Sequence, residues 1–153
     1  MKITIIGGGN IGGAIAGGLA ASTLMKASDL TVADPSAAAL ERIKGLNSAI
    51  RTSQDNAAAV EGADLIILAV KPWLAEEVSA TFRDKLNFDR QCLASVVAGV
   101  SFEKLKTMLD NGKDVRPALL RLIPNTAISL RESVTFIASD GASESQLNAV
   151  VTL

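Results

Sequence analysis

The feature that most narrows what this chain can fold into is the set of glycines behind its first apolar run. Residues 1–18 read M-K-I-T-I-I-G-G-G-N-I-G-G-A-I-A-G-G. Lys2 to Ile6 is apolar and β-branched, the composition of a buried strand. Gly7, Gly9 and Gly12 follow in the G-x-G-x-x-G spacing, and Ile11, Ile15 and Leu19 then recur at helical spacing. Strand, glycine turn and helix in that order is the context in which this spacing marks a dinucleotide-binding fingerprint rather than a loose turn. Gly7 is expected to permit the turn, Gly9 to let the backbone approach a pyrophosphate, and Gly12 to let the helix pack closely on the sheet. The helix start adds free N–H groups and a partial positive charge. Gly17 and Gly18 cost about 1 kcal/mol each relative to alanine inside a helix, so close packing is their expected use.

The rest of the chain alternates strand-like and helix-like runs. Leu30 to Ala33 reads as a second strand, with a helix starting at Pro35 whose apolar side is Leu40, Ile43 and Leu46. Ala49 to Thr52 reads as a third strand and Ser53 to Val60 as a short helix. Leu65 to Val70 is a continuous apolar run, as expected of a central parallel strand covered on both faces. Trp73 to Phe82 reads as helix, Cys92 to Val97 as strand, and Ser101 opens a helix carrying Phe102, Leu105 and Leu109. Leu119 to Ile123, stopped by Pro124, and Val134 to Ala138 are the last strands. Such alternation predicts an α/β fold, a doubly wound, mostly parallel Rossmann-type sheet, as one domain over residues 1–153. Ligand then binds at the carboxyl ends of the strands, where strand order reverses. Ser143 and Gln146 form a capping-box pattern ahead of Leu147, Val150 and Val151. That helix runs only two to three turns, so the chain is expected to be truncated in its last helix, with fraying near Leu153.

Composition removes several classes of function. The 153 residues carry a formal net charge of −1 and few aromatic residues, 3%, which argues against nucleic acid and against an anionic membrane surface. No run approaches the roughly 18 apolar residues of a membrane span, and the N-terminus lacks the basic start of a signal peptide. Cys92 is the one cysteine, so no internal disulfide forms, which fits the cytoplasm; its apolar surroundings make it a buried small residue. With no histidine, a His/Cys zinc site and a histidine acid are both excluded, and no metal is expected.

Asp34 ends the second strand, 22 residues past Gly12. An acidic residue there typically bonds a ribose 2′-hydroxyl and disfavours a 2′-phosphate; alternatively it caps the next helix, with Pro35 at the first helical position. No arginine follows at once to receive a 2′-phosphate, although Ser36 could donate to one. The residue alone favours NADH.

Three further segments follow the later strands: Ala69-Val70-Lys71-Pro72, Ser95-Val96-Val97-Ala98-Gly99-Val100 and Arg121-Leu122-Ile123-Pro124-Asn125-Thr126. Together with the glycine turn, these resemble in order the G-x-G-N-M-G, A-V-K-P, A-A-G-V and M-P-N-T-P motifs of the pyrroline-5-carboxylate reductases. Leu130 to Thr135 is similar to that family's next stretch, with Ser133 in place of its usual glycine. Ile123 and Ala127 depart from the family's methionine and second proline, and Ala127 loosens the loop after Asn125. The resemblance implies reduction of 1-pyrroline-5-carboxylate to L-proline with NADP(H) or NAD(H) in the last step of proline biosynthesis, by a protein that is a homo-oligomer at full length. By the family's pattern, Asn10 and Ile11 contact phosphates. Asn56, Ala69, Val70, Lys71 and Pro72 line the nucleotide, and Ala98 and Gly99 its nicotinamide end. The family's helical C-terminal domain, which makes the dimer and supplies much of the substrate pocket, is absent from these residues. No catalytic side chain is assigned, and this chain alone is expected not to reduce the pyrroline. A non-catalytic dinucleotide-sensing module, or a related reductase of another small imino or keto acid, are the alternatives.

Overall fold

The computed structural model describes residues 1–113, 117–124 and 134–153. Seven strands form one sheet: β1 (Ile3–Ile6), β2 (Leu30–Ala33), β3 (Arg51–Ser53), β4 (Leu65–Leu68), β5 (Cys92–Ser95), β6 (Ala118–Ile123) and β7 (Phe136–Asp140). Their spatial order is β3-β2-β1-β4-β5-β6-β7. All neighbouring pairs are parallel except β6 and β7, which run antiparallel. The helices are α1 (Asn10–Ala20), α2 (Ala37–Leu46), α3 (Asn56–Val60), α4 (Ala75–Ala80), α5 (Phe102–Leu109) and α6 (Glu144–Thr152). The expected doubly wound α/β architecture is therefore present. Among these helices none is long and apolar enough to cross a membrane.

Alternation along the strands builds two cores, because successive side chains point to opposite faces. On one face Ile3 and Ile5 pack with Val32, Leu65 and Ile67 beneath Ile15, Leu19 and Ile43 of α1 and α2. On the other, Ile6, Ile66, Leu68 and Leu93 pack with Val60, Phe82 and Leu105. All four residues of β1, β4 and β5 are buried, which explains why these strands are apolar apart from Thr4 and Ser95. The order reverses at β1: the chain leaves it for β2 on one side and returns to β4 on the other. That is the switch point at which a crevice opens above the strand ends.

Several boundaries differ from the expected ones, three of them for a local reason. The third strand begins at Arg51, because Asn47 to Ile50 are taken up by a turn in which Ile50 N donates to Asn47 O at 3.1 Å. The following helix starts at Asn56 rather than Ser53, since the Asp55 side chain accepts from Ala58 N at 3.1 Å and Ser53 still pairs with Ala33. Pro35 is not the first helical residue: Ser36 caps α2 by accepting from Ala39 N at 3.2 Å. The Trp73–Phe82 helix divides into a 3₁₀ turn, Pro72–Leu74, and α4. β4 and β5 stop two residues early, before Val70 and Val97, and β7 starts at Phe136 rather than Val134. Asn125, Thr126, Ala127 and Leu130 to Ser133 lie outside the described residues.

The capping box of α6 is present: Gln146 N donates to Ser143 Oγ at 3.2 Å and Ser143 N donates to Gln146 Oε1 at 2.9 Å. Leu147, Val150 and Leu153 pack partly buried against the α1-side core, whereas Val151 turns outward at 62% exposure and leaves the expected stripe.

Candidate functional site

Gly7 leaves β1 with φ +107°, a conformation that favours glycine. A Cβ there would also overlap the Ala69 carbonyl oxygen. Its N–H donates to Ala33 O at 2.8 Å, and Ala69 N donates to Ile6 O at 2.8 Å, so the turn is clamped between the ends of β2 and β4. A Cβ on Gly12 would overlap the Gly7 carbonyl oxygen. The close approach at Gly12 is therefore to the turn itself. Gly9 differs: among the described residues, nothing beyond its own stretch of chain lies within 4 Å of where its Cβ would stand. Gly17 has only an ordinary contact waiting at 3.6 Å, the Leu46 side chain, so space does not require a glycine there.

Helix α1 starts at this turn with Gly9 at its N-cap and no side-chain hydrogen bond to its first N–H groups. By contrast, α2, α3, α5 and α6 are capped by Ser36, Asp55, Ser101 and Ser143. Unpaired N–H groups at a helix start, next to open space, form a natural anion site. Gly9 and Asn10 are exposed, while Ile11 is partly buried against the core. Ile11 can therefore offer an anion its backbone N–H but not its side chain.

Asp34 stands directly beside the turn. Its Oδ2 accepts from Gly8 N at 2.7 Å and its Oδ1 accepts from Ser36 N at 2.8 Å. The cap of α2 is Ser36, so Asp34 is not the helix cap that the alternative reading made it. Two further residues that sequence reading passed over complete this corner. Arg42 Nη2 donates to Gly8 O at 3.3 Å, and Gln54 Nε2 donates to Pro35 O at 2.8 Å. Neither contact carries a local sequence signal, because the partners are 34 and 19 residues apart.

The remaining candidates also follow strand ends. Asn56 opens α3, and its Nδ2 donates to Thr81 Oγ1 at 3.1 Å. Ala69 and Val70 are half-buried, and Lys71 and Pro72 are exposed where β4 gives way to the 3₁₀ turn. Ala98 and Gly99 are exposed past β5, with Gly99 at φ +71°. Adjacent parallel strands thus bring Gly7 to Gly12, Asp34, Asn56, Ala69 to Pro72, and Ala98 and Gly99 to one edge of the sheet. Contacts join the turn to Asp34 and to Ala69; Asn56 is instead tied to Thr81.

Other features fall outside this edge. Burial pushes the Cys92 thiol up to about 12, which leaves it protonated and inert near neutral pH. An apolar cavity of about 620 Å³ between α1, α6 and the sheet is lined by residues such as Ile15, Leu19, Ile67, Leu122 and Val150. It contains none of the candidate site residues. No group of three or more potential metal ligands is present among the described residues.

Residues 2–99 match the family described as NADP oxidoreductase, coenzyme F420-dependent. Pyrroline-5-carboxylate reductase of Pasteurella multocida is 33% identical over 136 residues, 88% of this chain and 47% of that protein. The Escherichia coli enzyme of the same name is 34% identical, over 89% of this chain and 48% of its own length. The chain therefore spans about half the length of these curated relatives. Among solved structures, a pyrroline-5-carboxylate reductase from Coxiella burnetii superposes with a TM-score of 0.87 at 27% identity, over 99% of this chain and 54% of that one. The Plasmodium falciparum pyrroline carboxylate reductase, solved with NADP bound, gives 0.83 at 22% identity over 98% and 52%; at that identity the likeness is one of fold.

Proposed function

This chain belongs to the NADP oxidoreductase, coenzyme F420-dependent, family, and from that membership we propose that it is the NAD(P)(H)-binding domain of a pyrroline-5-carboxylate reductase. The observation that carries the reading is the start of α1: unpaired N–H groups beside an open Gly9, with Asp34 one hydrogen bond away. The backbone at Gly9, Asn10 and Ile11 holds the diphosphate, and Asp34 faces the ribose. Ala69 to Pro72 and Asn56 line the nucleotide. Ala98 and Gly99, beyond β5, stand at the nicotinamide end.

When bound, the dinucleotide supplies a hydride. This domain binds and orients it and forms one wall of the reaction space. The substrate class, 1-pyrroline-5-carboxylate, suits a chain without histidine. A protonated cyclic imine is already electrophilic at carbon and needs positioning more than a strong acid. The reductase activity is proposed for the whole protein, cytoplasmic and homo-oligomeric, with a helical second domain closing the substrate pocket. The P. multocida, E. coli and C. burnetii relatives carry about as much chain again, which supports this division.

The test is direct titration of the chain with NADH and NADPH, followed by an assay with the pyrroline substrate. Saturable binding of at least one dinucleotide, without turnover by these 153 residues, is the expected result. Absence of binding would remove the reading. Robust turnover would place the catalytic groups within this domain and remove the need for a second one.

A further inference from the structure

Asp34 and Arg42 hold the two ends of one residue in opposite ways. The Asp34 carboxylate accepts from Gly8 N at 2.7 Å, and the Arg42 guanidinium donates to Gly8 O at 3.3 Å. The ion pairs among the described residues are Lys85–Glu61, Arg90–Asp64 and Lys106–Asp140. Neither Asp34 nor Arg42 takes part in them. Arg42 is exposed and, with no ion-pair partner among the described residues, brings a positive charge to the glycine turn. It is the sixth residue of α2, and Cα–Cβ bonds tilt toward a helix's N-terminus. That tilt carries its side chain back toward the corner where Ser36 caps the helix and Asp34 meets the glycine turn.

We propose that Arg42 is the residue that admits a 2′-phosphate at this corner, so that the domain takes NADPH despite an acidic residue at the end of β2. The proposal rests on the dinucleotide reading above. An acidic residue at this place disfavours a 2′-phosphate because its charge is unopposed and its oxygens seek the ribose hydroxyl. Here both Asp34 oxygens already accept backbone N–H groups, and a guanidinium shares the same glycine. One guanidinium nitrogen spends a hydrogen bond near the long end of the useful range on a neutral carbonyl. The fork retains further donors, and a phosphate offers them shorter, charge-assisted and bidentate bonds. Arg42 thus has reason to exchange the Gly8 carbonyl for a phosphate when one is present.

Titration of the chain and of Arg42→Ala with NADPH and NADH separates the possibilities. The expected result is that the substitution lowers the NADPH-to-NADH affinity ratio by about tenfold or more, the scale of charge-assisted hydrogen bonds. Arg42→Lys keeps a point charge and loses the fork, so its ratio falls between the two. Raising the salt concentration should narrow the ratio in the parent more than in Arg42→Ala. If Arg42 only braces the turn, both dinucleotides weaken together and the ratio stays put; that result overturns the proposal. A parent that binds neither dinucleotide overturns the functional reading and this proposal with it. A parent that binds both with an unmoved ratio in Arg42→Ala overturns the proposal alone.

Discussion

Helices α1 and α6 begin in opposite ways, and the contrast separates a helix start closed by its own side chains from one left open, which the proposed function fills with a diphosphate. At α6 the Ser143 hydroxyl and the Gln146 side chain satisfy each other's backbone N–H groups, which compensates for a short helix with no fully buried residue. α1 has five buried residues, Gly12, Ile15, Ala16, Gly18 and Leu19, yet starts at Gly9 without any side-chain cap. No side chain accepts from its first N–H groups. Packing along its length lets α1 hold together although its start is left open.

The largest effect that would sharpen this contrast is expected from Gly12→Ala. Its Cβ would overlap the Gly7 carbonyl oxygen, and backbone on both sides must move. The expected loss is about 3 kcal/mol, a fall in Tm of roughly 6–12 °C in thermal unfolding. A Tm within a degree of the parent would show that the turn and helix are less tightly joined than the geometry requires.

Gly9→Val should do the reverse. Among the described residues nothing crowds the new Cβ, so stability should change by about 1 kcal/mol or less. Dinucleotide affinity should drop about a hundredfold, because the branched side chain takes the place of a phosphate. Equal affinities for variant and parent in a fluorescence titration would mean that the open start of α1 is not the anion site.

Asp34→Asn should fall between these in stability. The amide matches the shape of the carboxylate but replaces one acceptor oxygen with a donor, facing either Gly8 N or Ser36 N. About 1.5 kcal/mol should be lost in urea denaturation, with weaker binding of both dinucleotides as the turn loosens. An unchanged midpoint would show that the turn holds its shape without this carboxylate.

The smallest effect is expected at the capped helices. Ser143→Ala should cost about 1 kcal/mol and Ser36→Ala a similar amount, read as a shift in Tm with dinucleotide affinity unaffected at Ser143. A much larger loss at Ser143 would mean that α6 supports the fold beyond its own first turn.

The sequence by itself determined the kinds of element and their order. Continuous apolar runs such as Leu65 to Leu68, short and bounded by turn residues, fit strands covered on both faces, and their spacing leaves room for crossover helices. Ser143 and Gln146 announced their capping box because both partners lie within one turn. Gly7 and Gly12 were also legible, although the sequence could not say that Gly12 answers to the Gly7 carbonyl oxygen. Boundaries were less readable at Arg51 and Asn56, where Ser53 could serve either a strand or a helix start and only pairing with Ala33 settled it. What tertiary structure alone decided is the corner of the site. Asp34 meets Gly8 across 26 residues and Arg42 meets it across 34. Those partners are chosen by which strand lies beside which, and local sequence patterns carry the preferences of single elements rather than the choice of neighbour.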